Sequence, residues 1–198
     1  MPNQRERIHK NFGQPDNTWL NTPENQALEY LQGSQGQELE SSTQALSESR
    51  FSHNFANVRV HADSQAASVA SGVAARAFTV GPDIVFIASE YQPHSRDGQA
   101  LIAHELAHTV QQSHVDTKAI KKLEVADQNS GIETQARVMG TDAFAGHPVQ
   151  MPANSGAIIA RETKDRPPAD DARPYTAEEE KKVHDINKFR NFFSPINT

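Results

Sequence analysis

The sequence predicts an α+β domain, and three observations support this class. Alternating apolar and polar residues at 57–62 indicate a strand. Two β-rich segments separated by Gly81-Pro82 indicate a hairpin. Helical patterns precede and follow these strands. From residue 37 onwards the resulting order is helix, strand, helix, hairpin, helix, helix, which is typical of the α+β class.

The predicted elements follow one another along the chain, mostly in its middle. Helices are expected over 23–31, 37–51, 64–75, 98–112 and 132–144, and strands over 57–62, 77–80 and 83–88. Asp63 and Asp97 are the expected N-caps of the third and fourth helices, because a carboxylate accepts hydrogen bonds from the first helical N–H groups.

Composition divides the chain into three parts. We expect an N-terminal extension over 1–36, a folded domain over 37–150 and a charged, Pro-containing C-terminal tail over 151–198. Residues 161–198 carry 16 charged side chains in 38 residues. Such a segment cannot bury much apolar surface, so we expect partly disordered tails, with one short helix over 177–193.

Charge and composition exclude several function classes. The net charge of −6 argues against a nucleic-acid-binding protein, which would usually carry a basic patch. The longest apolar run is far below the roughly 20 residues of a membrane-spanning helix, so we expect no membrane span. With no cysteine, the chain has no disulfide, thiolate zinc site or cysteine nucleophile.

The chemical signal is an H-E-x-x-H motif, His104-Glu105-Leu106-Ala107-His108. On a helix its histidines lie about 40° apart around the axis and about 6 Å apart along it, so both can reach one ion. Zinc suits two imidazole ligands. The opposite helix face is apolar and should be buried, leaving the histidines at a cleft. Glu105 lies beside them, where a general base should be.

A catalytic zinc needs a third protein ligand and an open position. The leading candidate is Glu133, near the start of the predicted last helix, because His₂Glu is an established catalytic ligand set. The competing candidates are His114, Glu124, Asp127 and His147. Weaker candidates for other roles in the site are His61, Tyr91 and His94.

Three stretches of the chain closely resemble the eCIS-core domain. They are residues 51–63 (FSHNFANVRVHAD), 75–86 (ARAFTVGPDIVF) and 101–112 (LIAHELAHTVQQ). This bacterial domain is named for its abundance near extracellular contractile injection systems, and it also occurs in polymorphic-toxin proteins. It is usually regarded as a zincin-type metallopeptidase. The resemblance covers roughly 36–112 and implies a compact zincin-like, gluzincin-type fold with an active-site helix on a small sheet.

Members of the family often carry an E-x-E-A-D-like helix after the H-E-x-x-H helix. The corresponding stretch here is Glu133-Thr134-Gln135-Ala136-Arg137. Its first Glu and its Ala fit, which favours Glu133 as the third ligand. Gln135 and Arg137 depart from the pattern. An Asp at the position of Arg137 would orient a zinc-ligand histidine, so this departure bears on catalytic strength rather than on the ligand set.

The resemblance therefore implies a zinc-dependent metallopeptidase with Zn²⁺ bound by His104, His108 and Glu133 and with Glu105 as the catalytic base. Its substrate would be a protein or peptide, which we expect to pair with the strand at 83–88 as the cleft edge. The injection-system context implies an effector, cargo or processing component that partners the apparatus. Such a protein would be made in the bacterial cytoplasm, loaded, and then delivered outside or into a target cell.

Two other interpretations stay open. One is a non-catalytic structural or cargo-sorting module of the apparatus, with or without zinc. The other is a toxin whose harmful activity lies in the C-terminal tail.

Overall fold

The computed structural model describes residues 22–127, 130–147, 149, 156 and 158–163 of the 198-residue chain. Within these residues, five α-helices pack on one mixed sheet, which confirms the α+β class. The helices are α1 (Pro23–Gly33), α2 (Ser41–Phe51), α3 (Ser64–Gly72), α4 (Arg96–Gln111) and α5 (Gly131–Ala145). The strands are β1 (Gln37–Glu38), β2 (Arg59–His61), β3 (Ala75–Val80), β4 (Asp83–Phe86) and β5 (Ala160–Thr163).

The five strands form a single sheet in the order β1-β2-β4-β3-β5. Strand β2 runs parallel to β4, and the other neighbouring pairs are antiparallel. The predicted hairpin is confirmed as β3 and β4, which are joined at Gly81 and Pro82. Gly81 has a φ of 58°, a left-handed conformation that glycine adopts without strain.

Side-chain alternation on the central strands builds a core on each face of the sheet. On β4, Ile84 and Phe86 enter a core with α2, α4 and α5, whereas Val85 enters a core with α1 and α3. Every residue of β4 is therefore buried. Helices on both faces explain why this strand is apolar at successive positions rather than at alternate ones.

Several predicted boundaries differ from those in the structure. Ser95, not Asp97, caps α4: its hydroxyl oxygen accepts a hydrogen bond from the N–H of Gly98 at 3.0 Å. Asp97 lies in the first turn instead, where a negative charge also favours the helix dipole. The predicted helix over 37–51 begins only at Ser41, because Gln37 and Glu38 pair with β2 as β1.

The predicted role of the strand at 83–88 as a cleft edge is wrong. Strand β4 lies between β2 and β3, so both of its edges are already paired. The neighbour of β3 on its other side is β5, which comes from the segment we assigned to the C-terminal tail. The sheet therefore recruits four residues far along the chain, and they lie outside the predicted folded domain of 37–150.

The helix predicted over 177–193 lies outside the described residues. Among the residues that the structure describes, no helix is long and apolar enough to cross a bilayer.

The packing of α4 gives a stability prediction. Leu106 is fully buried in the core shared with α2 and α5, whereas Leu46 on α2 is 49% exposed. We expect Leu106→Ala to lower the free energy of unfolding by about 2–5 kcal/mol because it leaves a cavity. Leu46→Ala, the same change on an exposed helical position, should cost about 0.5 kcal/mol or less. Urea unfolding measures both, and equal losses would contradict the assigned packing.

Candidate metal site

The H-E-x-x-H motif lies in the middle of α4, as predicted. The expected apolar face of this helix is confirmed, since Ile102, Leu106 and Val110 are all buried in the core. The histidines project from the other face, towards α5. They do not lie at an open cleft, because the exposed side-chain fractions of His104 and His108 are only 4% and 0%.

Three side chains from α4 and α5 bring their donor atoms together. His104 Nε2 lies 3.1 Å from His108 Nε2, and these two nitrogens lie 3.3 and 3.2 Å from Glu133 Oε2. Among the described residues, this is the group of three or more His, Asp or Glu side chains with the geometry to hold a metal ion. The structure therefore brings together the three residues that the sequence predicted as ligands.

The position of Glu133 follows from how α5 begins and how it packs. The hydroxyl oxygen of Ser130 caps the helix by accepting a hydrogen bond from the Glu133 N–H at 3.3 Å, which places Glu133 in the first turn. Further along, Gly140 lies against the backbone of His104, where an added Cβ would be 3.0 Å from His104 N and Cα. Close approach at Gly140 lets the carboxylate of Glu133 reach both imidazoles.

The three donors are strongly coupled. Burial alone would raise the pKa of Glu133, but its hydrogen bonds with His104 and His108 outweigh burial and lower that pKa to about 2. Burial also opposes protonation of His108, yet its hydrogen bond with Glu133 raises the pKa of the imidazole. Burial lowers the pKa of His104. Of the two imidazoles, His108 is therefore the one whose protonated form the Glu133 carboxylate stabilises.

Glu105 lies beside this group, between α4 and the sheet. Its side chain is fully buried, and its Oε2 accepts a hydrogen bond from the hydroxyl of Thr79 on β3 at 2.6 Å. Its other oxygen, Oε1, has no hydrogen-bond partner among the described residues. Burial raises the pKa of Glu105 to about 8, against the opposing effects of His108 and Thr79.

The two imidazoles differ in what holds their second nitrogen. His108 Nδ1 lies 2.7 Å from Gln111 Oε1, and the amide of Gln111 in turn donates to Gln135 Oε1 at 3.2 Å. Gln135 is one of the two departures from the family pattern, and here it helps to orient His108. In contrast, His104 Nδ1 is buried without a partner among the described residues.

Strand β5 completes the site and was missed by the sequence analysis. The backbone N–H of Arg161 donates to Glu133 Oε1 at 3.1 Å, so it fixes the carboxylate oxygen that faces away from the histidines. Glu162 is 5% exposed, and its Oε2 lies 3.6 Å from His104 Nε2. The available signal was the apolar run Ile158-Ile159-Ala160, which comes directly before the charged segment 161–198.

The competing ligand candidates lie elsewhere. His114 and Asp127 are exposed, Glu124 pairs with Lys122 at the surface, and the largely exposed His147 lies near Asp142.

The weaker candidates have other partners. His61 lies between Asp83 and Ser34, at 2.8 and 3.1 Å. The Tyr91 hydroxyl oxygen accepts a hydrogen bond from the Glu40 N–H at 3.4 Å. The side chain of His94 is 79% exposed.

The close approach at Gly140 can be tested. Gly140→Ala forces α4 and α5 apart, so we expect it to lower the free energy of unfolding by about 1–3 kcal/mol. It should also weaken the binding of a divalent metal ion, measured by chelator competition. Gly131→Ala is the matched control in the same helix, because an added Cβ there meets no atom within 4 Å. A Gly140→Ala protein that matches the control in both measurements would contradict the packing argument.

Comparison with known protein families identifies part of the chain. Residues 38–116 match the family model of the eCIS core domain. The matched stretch is 79 of the 198 residues of the chain. The match contains β2, β3, β4 and all of α4, and it ends before α5 and β5. No curated protein and no solved structure matches the chain. The motif helix α4 and the strands β2, β3 and β4 therefore lie in the part of the chain, residues 38–116, that matches the eCIS core domain.

Proposed function

We propose that the chain is a zinc-dependent metallopeptidase with a zincin-like site. The observation that carries this proposal is the convergence of His104, His108 and Glu133 on one point beside Glu105. Two imidazole nitrogens and one carboxylate oxygen form an established catalytic zinc ligand set.

The donor distances fit zinc. Ligands about 2.0–2.1 Å from a tetrahedral ion are about 3.3–3.4 Å from one another. The three separations here are 3.1, 3.2 and 3.3 Å. Burial gives a second reason, because the buried carboxylate of Glu133 is stabilised by positive charge close to it, which a bound cation would supply.

In this proposal each residue has a defined task. When bound, zinc would polarise the substrate carbonyl and make water a nucleophile at neutral pH. Ionised Glu105 takes a proton from the attacking water at Oε1, because Thr79 already holds Oε2, and its raised pKa of about 8 makes it a stronger base than an exposed glutamate. Arg161 keeps Glu133 turned towards the histidines through its backbone N–H.

The family supports an association with bacterial contractile injection systems. We propose that the chain is an effector, cargo or processing component of such a system. Its substrates would be peptide bonds in a target-cell protein, or in a polypeptide that carries or neighbours this domain. It would be loaded in the bacterial cytoplasm and delivered from there.

One observation favours a second candidate function, a non-catalytic module in which zinc only stabilises the fold. All three donor residues are nearly inaccessible to solvent, as in a structural zinc site that is closed to water.

The ligand assignment predicts zinc stoichiometry. Wild-type protein should bind one zinc ion, and Glu133→Ala should lose it or bind it far more weakly, because only two protein donors of the set remain. Glu124→Ala is the control, since it removes an exposed carboxylate that lies nearby in the sequence. Metal analysis after dialysis measures all three proteins. Equal, tight zinc binding by wild type and Glu133→Ala would remove Glu133 from the ligand set.

The role of Glu105 predicts a separation of binding from catalysis. Glu105→Gln should keep zinc but slow the chelator-sensitive cleavage of unfolded casein by about 10²–10⁴-fold, because the amide cannot accept the proton. Glu124→Gln, the same change on an exposed glutamate, should leave the rate unchanged. Cleavage by Glu105→Gln at the wild-type rate would contradict the mechanism. Zinc binding without any chelator-sensitive cleavage in wild type would favour the non-catalytic module.

A further inference from the structure

Strand β5 occupies the edge of β3 that lies beside the candidate metal site. Thr79 of β3 donates a hydrogen bond to Glu105, and β5, the strand paired with β3, contacts Glu133 and His104, so this edge of β3 lies beside the candidate metal site. Extended peptides bind sheet edges by adding a strand. In the structure this edge is already paired, antiparallel, with β5 in the register Thr79 to Ala160, Phe78 to Arg161 and Ala77 to Glu162.

The register decides which β5 side chains face the site. Directly opposed residues of an antiparallel pair point to the same face of the sheet. Glu162 therefore shares the face of Ala77 and Thr79, which is the face covered by α4. Ala77 is small, so the longer Glu162 side chain can pass over it towards His104. A register shift between Ala75 and Ala77 adds one residue to β3 next to this pair, and such bulges often redirect side chains near functional sites.

Two contacts join β5 to the donor set. Glu162 Oε2 lies 3.6 Å from His104 Nε2, and the Arg161 N–H holds Glu133. The strand is anchored just before these contacts by Ile159, which is fully buried among the residues of α1 and α3. Ile159 also exchanges backbone hydrogen bonds with the segment before α5, from its N–H to Glu124 O and from Ala126 N–H to its carbonyl.

We propose that β5 is a self-blocking strand: it fills an edge of β3 to which a peptide would pair, and it places the Glu162 carboxylate beside His104 in the metal site. This inference rests on the proposed function, because it assumes a metal held by His104, His108 and Glu133. In this proposal, the pairing of β5 with β3 is the reason that His104, His108 and Glu133 are almost completely buried. A peptide reaches the site only when β5 leaves β3 or Glu162 turns away.

The experiment uses full-length protein loaded with Co²⁺, whose visible absorption reports the ligands around the ion. Acetohydroxamate is the probe, because it binds a metal ion only where a coordination position is open. The variants are Glu162→Ala, which removes the carboxylate, and Glu162→Gln, which keeps its size but removes its charge. Glu124→Ala is the control, since its carboxylate is 74% exposed and pairs with Lys122.

We expect all four proteins to bind one Co²⁺. Acetohydroxamate should bind Glu162→Ala about tenfold or more tightly than it binds wild type or Glu124→Ala, because a ligand for a blocked site is weakened by the fraction of molecules that are blocked. The affinity of Glu162→Gln for acetohydroxamate should lie between that of Glu162→Ala and that of wild type. The rate of casein cleavage should rise in the same order.

Three results would overturn the inference in distinguishable ways. Equal acetohydroxamate affinity in wild type and Glu162→Ala would show that Glu162 blocks nothing, and the metal site would stand. Loss of Co²⁺ from Glu162→Ala alone would make Glu162 a required ligand rather than a removable block. Failure of the wild-type protein to bind Co²⁺ would contradict the proposed function itself, and the inference with it.

Discussion

One carboxylate oxygen between two imidazoles is the constraint on which the rest of this site depends. Glu133 Oε2 lies within 3.3 Å of both His104 Nε2 and His108 Nε2, and these atoms are buried. Burial makes such a cluster costly unless positive charge compensates it. The surrounding structure keeps it in place, since Gly140 allows α4 and α5 to approach closely and β5 fixes the second oxygen of Glu133.

The same packing that assembles the donors also closes them off. The backbone of β5 donates a hydrogen bond to Glu133, and its Glu162 side chain lies next to His104. Strand β5 therefore contributes both to the position of the three donor residues and to their burial.

The sequence was sufficient for the local features and insufficient for the long-range ones. The periodicity of α4 and the spacing of His104 and His108 are properties of one helix, so they could be predicted, and the first-turn position of Glu133 followed from the start of the next helix. Strand β5 could not be predicted in this way, because its partner β3 lies about 85 residues earlier in the chain. Neighbouring charges hid its short apolar run, and β4 was placed at an edge because nothing local reveals that β2 pairs beside it.

The most direct test of the central claim is anomalous X-ray scattering at the zinc edge from crystals of the zinc-loaded, full-length chain. The account predicts one strong peak about 2.0–2.1 Å from His104 Nε2, His108 Nε2 and Glu133 Oε2. A crystal soaked in zinc without a peak at this point, or with its strong peak on other side chains, would contradict the account.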